Sequence, residues 1–142
     1  MKVINVYRQN APLEVFEDYR GIIADVFYKA NINHVAIISS VPNVIRGNHY
    51  HKETTQHMLM TKGSLNYWYK PVDSDEPAKM YKAVVGDLVS TEPLEIHALE
   101  ITEEGNEFVV FSEGKRGGSD YESDTYRVDS IIPQNKSNNS GG

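Results

Sequence analysis

Apolar residues along this chain alternate with polar ones in short runs, and no stretch shows the three-to-four spacing of an amphipathic helix. Such a period-2 pattern marks half-buried strands, with successive side chains leaving opposite faces. It predicts strands over 3–6, 21–28, 34–39, 44–51, 57–61, 64–70, 79–85, 94–99 and 107–111. Between them lie turn formers. Ala11-Pro12 ends the first run before the acidic segment 14–18, Lys62-Gly63 reads as the turn of a hairpin, and 71–77 reads as a surface loop. Glu103-Glu104-Gly105-Asn106 reads as a tight turn before the last strand. So many short strands suit an all-β sandwich or barrel.

At 142 residues the chain is long enough for one domain and short for two. The expected division is a folded domain over 1–130 and a disordered tail over 131–142, because 133–142 has almost nothing to bury. Hydrophobic residues make up 39% and charged ones 24%, an ordinary globular balance, and nine tyrosines with four phenylalanines and one tryptophan favour strands. The absence of cysteine excludes disulfides and thiolate metal sites. A net charge of −6 argues against non-specific nucleic-acid binding. The first residues lack the apolar core of a signal peptide and no run has the length of a membrane span, so a cytoplasmic protein is expected.

The chemistry gathers in 46–64, RGNHYHKETTQHMLMTKGS. His49 and His51 are two apart, so on a strand they share a face, and Gln56 and the distant His97 are candidates to join them. Three imidazoles and an amide suit one divalent transition metal such as Zn, Ni, Mn or Fe, with Glu53 a substitute ligand and no organic cofactor implied. Two imidazoles also serve as base and acid near neutral pH, with a tyrosine or arginine steadying an enolate. The plainer alternative is that these histidines hold no ligand. His34 and His57 stand outside the cluster and are expected at exposed or strand-edge positions, while Met58 and Met60 are expected to pack. Tyr50 and Trp68 either stack on a sugar or base or form barrel wall. The acidic stretch 113–126 is a solvated loop, a cover over the barrel mouth or a subunit contact.

His-x-His, then Gln56, then Gly63 resembles the first cupin motif, with Gln56 where glutamate is usual. Gly86 to His97 resembles the second, with Pro93 one residue closer to the histidine than usual and Glu95 where a glycine is expected. Asp18-Tyr19-Arg20-Gly21 and Arg46-Gly47-Asn48-His49 are similar to signatures of the dTDP-4-dehydrorhamnose 3,5-epimerase-like (RmlC-like) cupins. Within that group, Arg46-Gly47, His49, His51-Lys52 and Gln56 look most like the dTDP-4-oxo-6-deoxyhexose 3,4-ketoisomerases and the capsule-synthesis cupin domains. The likeness spans roughly 14–112.

The resemblance implies a single-domain antiparallel jelly-roll β-barrel. It implies an isomerase acting on a 4-keto-6-deoxy sugar nucleotide in surface-polysaccharide synthesis, with His49 as general base and His51 as its partner. Arg20 and Arg46 stand where these families bind phosphate, a role guanidinium forks suit, although pairing with acids such as Asp18 is the structural alternative. Met58 stands where a 3,5-epimerase has its catalytic lysine, which argues against that activity. A homodimer is implied, with the strand at 3–6 as the exchanged element. Two other functions remain open: a metal-dependent cupin dioxygenase or isomerase, and a non-catalytic sugar-binding module.

Overall fold

The computed structural model describes residues 1–8, 13–114 and 123–133. Its ten strands are β1 (Lys2–Asn5), β2 (Val15–Asp18), β3 (Gly21–Ala24), β4 (His34–Ser40), β5 (Ile45–Tyr50), β6 (Thr55–Pro71), β7 (Lys79–Val84), β8 (Asp87–Thr91), β9 (Glu95–Glu113) and β10 (Tyr126–Arg127). All their pairings are antiparallel. Among the described residues no helix is long and apolar enough to cross a membrane.

The long strands β6 and β9 run side by side and organise everything else. The first part of β6 lies between β8 and the last part of β9, with β1 and β4 outside them. The second part lies between β7 and the first part of β9, which in turn pairs with β5 and then β10. Each long strand thus serves two sheet regions, and it passes from one to the other at a glycine. Gly63 and Gly105 both adopt left-handed φ values, +69° and +67°, which glycine tolerates without steric cost. The register between the strands shifts on either side of Gly63. Lys62-Gly63 and Glu103 to Asn106 are therefore bends inside continuous strands rather than the turns expected. Each glycine there marks a corner within one strand.

Alternation decides which side chains go inside. Met58 and Met60 on β6, Phe108 and Val110 on β9, and Leu65, Tyr67, Val89 and Ile101 form one core cluster. Burying each large apolar side chain is worth about 1.5–3 kcal/mol. The methionines pack, as expected. The acidic segment 14–18 forms β2 and the run expected over 21–28 is shortened to β3. The two make a separate hairpin that leaves Phe16 and Ile23 exposed.

The strand expected to be exchanged between subunits, β1, pairs with β8 of its own chain. At the other end, Ile132 is buried against Trp68 and Ala98, with Ile131 beside it. The fold includes these two residues, beyond the boundary expected at 130. Positions 134–142 of the expected tail, and 115–122 of the acidic stretch, lie outside the described residues.

Candidate active site

The site depends on an irregularity in β5. Arg46 pairs with Leu99 and Gly47 with Ala98, but His49 pairs with His97, so Asn48 is an extra residue in the ladder. Gly47 and Asn48 both have positive φ, +89° and +58°, and a Cβ on Gly47 would lie 2.8 Å from the His97 carbonyl oxygen. A bulge of this kind resets which side chains face which way. It turns Arg46 and His49, three positions apart, toward the same cavity.

That cavity, about 270 Å³, opens between the two sheet regions and is lined on its polar side by Arg46, His49, Gln56, Tyr67, Thr91 and His97. Met58, Leu99, Phe108 and Val110 line it with apolar surface. His49 and His97 meet edge to face with ring centroids 4.7 Å apart, and His51 lies 5.0 Å from His49 and 5.5 Å from His97. One ring nitrogen from each of the three lies within 4.8 Å of the others, and the cluster could hold a metal ion. Gln56 shares the cavity wall. The exposed Glu53 is not part of the cluster, and its backbone N–H donates to Asp124.

Two imidazoles have their tautomer set by backbone carbonyls. His51 Nδ1 donates to the Asp124 oxygen at 2.8 Å, and His97 Nδ1 to the Glu95 oxygen at 3.2 Å. A carbonyl only accepts, so in the neutral ring each Nε2 carries the lone pair. Burial drives the His97 pKa down to about 3, with His49 and His51 adding to the effect and the Glu95 carbonyl opposing it. His97 is thus neutral across the physiological range, the state a ligand or a proton acceptor needs. Tyr67 stacks parallel to His97 at 6.2 Å, and its hydroxyl bonds Thr91 and Glu95. Burial and then the Glu95 charge push its phenol well above the usual range.

Arg46 is anchored by Nε to Ser40 Oγ and by Nη2 to the Ser39 carbonyl, both at 2.9 Å, so its guanidinium has a fixed direction on the cavity wall. Arg20 is not brought there. It sits at the tip of the β2–β3 hairpin, 70% exposed, bonded to Asp18 at 2.7 Å, and it holds that carboxyl below the usual range. Tyr50 stacks on Tyr126 at 5.3 Å. Trp68 is buried, with Nε1 donating to Glu100 at 3.1 Å. Neither is among the residues lining the cavity.

His57 is not exposed as expected. Its ring lies between Ser90 Oγ at 2.7 Å and Glu113 Oε2 at 2.8 Å, with Phe27 edge-on at 5.0 Å. His34 opens β4, which among the described residues pairs only with β9, at a half-buried position. Sequence reasoning missed Asp124, Tyr67 and Thr91. Asp124 had one signal, an acid among alternating tyrosines, but its partners lie some seventy residues away.

A family model described as polysaccharide biosynthesis C-terminal domain matches residues 16–116, well over half the chain. The chain belongs to this family. Solved structures of RmlC-like cupins share its fold. QdtA, a sugar 3,4-ketoisomerase from Thermoanaerobacterium thermosaccharolyticum solved in complex with TDP, superposes with a TM-score of 0.68 at 20% identity, over 89% of this chain and 87% of its own. The dTDP-4-dehydrorhamnose 3,5-epimerase of Sulfolobus tokodaii gives 0.67 at 21%, over 84% of this chain and 76% of its own. CapF, a capsular polysaccharide assembling protein from Staphylococcus aureus, gives 0.61 at 21% over 85% of this chain, which spans 34% of that longer protein. No curated protein sequence matches the chain.

Proposed function

We propose that this domain is a sugar-nucleotide isomerase of the 3,4-ketoisomerase type, acting on a 4-keto-6-deoxy sugar nucleotide in surface-polysaccharide synthesis. The observation that carries the reading is the pair of imidazoles His49 and His51, with ring centroids 5.0 Å apart, His49 standing on the wall of a cavity that also presents His97, Arg46 and Tyr67. Moving a carbonyl between neighbouring carbons needs only proton transfers. A base removes the C3 proton, the C4 oxygen gains a proton and the C3 hydroxyl loses one through an enediol, and a proton returned to C4 leaves the carbonyl at C3. His49, the least buried of the three imidazoles, is the base, and His51 behind it is its partner. Arg46 steadies the enolate oxygen or, as the nearer of the two motif arginines, the pyrophosphate. Membership of a polysaccharide-synthesis family and a fold shared with a 3,4-ketoisomerase support the substrate class.

A second reading is favoured by one observation. Two of the three clustered histidines donate Nδ1–H to backbone carbonyls, the arrangement that orients imidazoles toward metals. In it His49, His51 and His97 hold a Zn, Ni, Mn or Fe ion, which supplies Lewis-acid polarisation of a bound oxygen.

One experiment separates these readings. Tag-free protein is assayed for metal, then incubated in D2O with a 4-keto-6-deoxy sugar nucleotide. Deuterium uptake and a 3-keto product from metal-free protein, lost in His49→Asn, support the ketoisomerase. Uptake that needs a stoichiometric metal supports the second reading, and binding without exchange makes the domain a sugar-binding module.

The exposed Phe16 and Ile23 of the hairpin, and Val35 and Ile37 on β4, favour a homodimer, to be checked by light scattering.

A further inference from the structure

We propose that Asp124 is the positioning residue for His51, fixing its tautomer from a segment far along the chain. Asp124 is 1% exposed, and it grips the turn after His51 from several directions. One carboxylate oxygen accepts from Lys52 N–H at 2.9 Å; the other accepts from Glu53 N–H at 3.0 Å and Thr54 Oγ1 at 2.8 Å. Its own backbone carbonyl then accepts Nδ1–H of His51. The carboxylate thus holds the loop, and the loop and carbonyl together hold the ring.

The grip is buried at His51 and Thr54, 1% and 0% exposed, and opens to solvent at Lys52 and Glu53. Leu94 N–H also donates to the His51 carbonyl at 2.7 Å, so the ring is fastened to a backbone that is itself tied in place. On its far side Asp124 leads into β10, which pairs Tyr126 with Tyr50 and Arg127 with His49. Val128 N–H then donates to the Asn48 carbonyl and Ile131 N–H to Asn48 Oδ1. The segment from 124 to 132 is a strap across the histidine strand, and Asp124 is its buckle.

The chemical consequence is specific. With Nδ1 protonated and turned to the carbonyl, Nε2 is the nitrogen that His51 offers to His49 and His97. An imidazole whose second nitrogen is committed in this way presents one lone pair in one direction, which serves a proton acceptor and a metal ligand alike. The functional weight of this inference rests on the histidine cluster being the working site, whereas the tautomer itself is independent of that role.

The test uses the full 15N-labelled chain without substrate and reads the ring nitrogens through two-bond proton–nitrogen correlations at neutral pH. The expected wild-type spectrum has His51 in the Nδ1–H form. In Asp124→Asn, whose amide cannot accept all three donors, His51 is expected to populate both tautomers while His57 and His34 keep their signals, and Co2+ affinity is expected to fall about 10- to 100-fold. Thr54→Val removes one leg of the grip and carries the same expectation in smaller measure, should the asparagine variant fail to fold. A wild-type His51 in the Nε2–H form overturns the proposal. So do folded variants with an unchanged tautomer. Isomerase activity is not among the readouts, so failure of the functional reading would leave the tautomer result standing.

Discussion

Gly63 lies against Gly105 so closely that a Cβ on Gly63 would come within 2.1 Å of the Gly105 carbonyl oxygen. Both residues also have left-handed φ, so a side chain at Gly63 meets a backbone clash and a conformational penalty together. Gly63→Ala is expected to destabilise the domain by about 2–4 kcal/mol. Urea unfolding is the check, and a change under about 0.5 kcal/mol, the usual range for a surface substitution, would mean the corner is not constrained as described.

Acid sensitivity follows from His97. Its folded pKa is about 3, below the roughly 6.5 of an unfolded histidine. Between those values the unfolded chain binds the proton and the native one does not. Stability therefore falls as pH drops through that window, by about 1.4 kcal/mol per pH unit from this group, and the loss ends below the folded value. Metal-free wild type should show this slope in its urea midpoints, and His97→Gln should flatten it. An equal slope in both proteins would assign the acid response elsewhere.

The two arginines of the motif should behave differently. Arg46 is aimed along the cavity wall by Ser39 and Ser40, whereas Arg20 is spread on an exposed hairpin against Asp18. Arg46→Ala is expected to weaken binding of a nucleoside diphosphate by about 10- to 100-fold in calorimetry, as for loss of a charged hydrogen bond. Arg20→Ala is expected to leave the stability of the chain within about 0.5 kcal/mol. An Arg46→Ala variant with unaltered affinity would remove Arg46 from the anion site.

Trp68, the single tryptophan, reports on the C-terminal strap because Ile132 packs against it. A chain ending at 133 should keep wild-type fluorescence and stability. One ending at 130 should show red-shifted emission and lose about 2–4 kcal/mol, the cost of uncovering buried apolar side chains. Identical emission from the two truncations would contradict the packing.

Much of the fold is legible in the sequence. Alternation locates most strands because each has one face on the core, and His49, His51 and His97 come together as their spacing and motif suggest. Gly63 and Gly105 mislead because a glycine looks alike in a hairpin turn and at a corner where two paired strands bend together. Arg46 reaches the cavity wall, and of the two readings of Arg20 the salt bridge to Asp18 is the one present. Tyr67 is hidden among many tyrosines packed in strands. Asp124 is hidden for a different reason, since nothing local distinguishes an acid in water from one that ties down a turn seventy residues earlier.

The extra residue in β5 has a consequence for how this chain tolerates change. A strand is read two residues at a time, and Asn48 restores the parity between Arg46 and His49 that their three-residue spacing would otherwise break. Substitutions at 47 and 48 that favour extended backbone, such as valine at both, would press Asn48's position into the ladder opposite His97. Arg46 and His49 would then leave opposite faces, although every histidine remained in the sequence. Deleting position 48 altogether would do less harm to their alignment, because the two residues would then stand at the ordinary spacing of neighbours on one face. For the alignment of Arg46 and His49 alone, losing the residue is thus milder than the double valine exchange, although it also removes the Asn48 carbonyl and Oδ1 that accept from Val128 and Ile131 N–H and hold the strap.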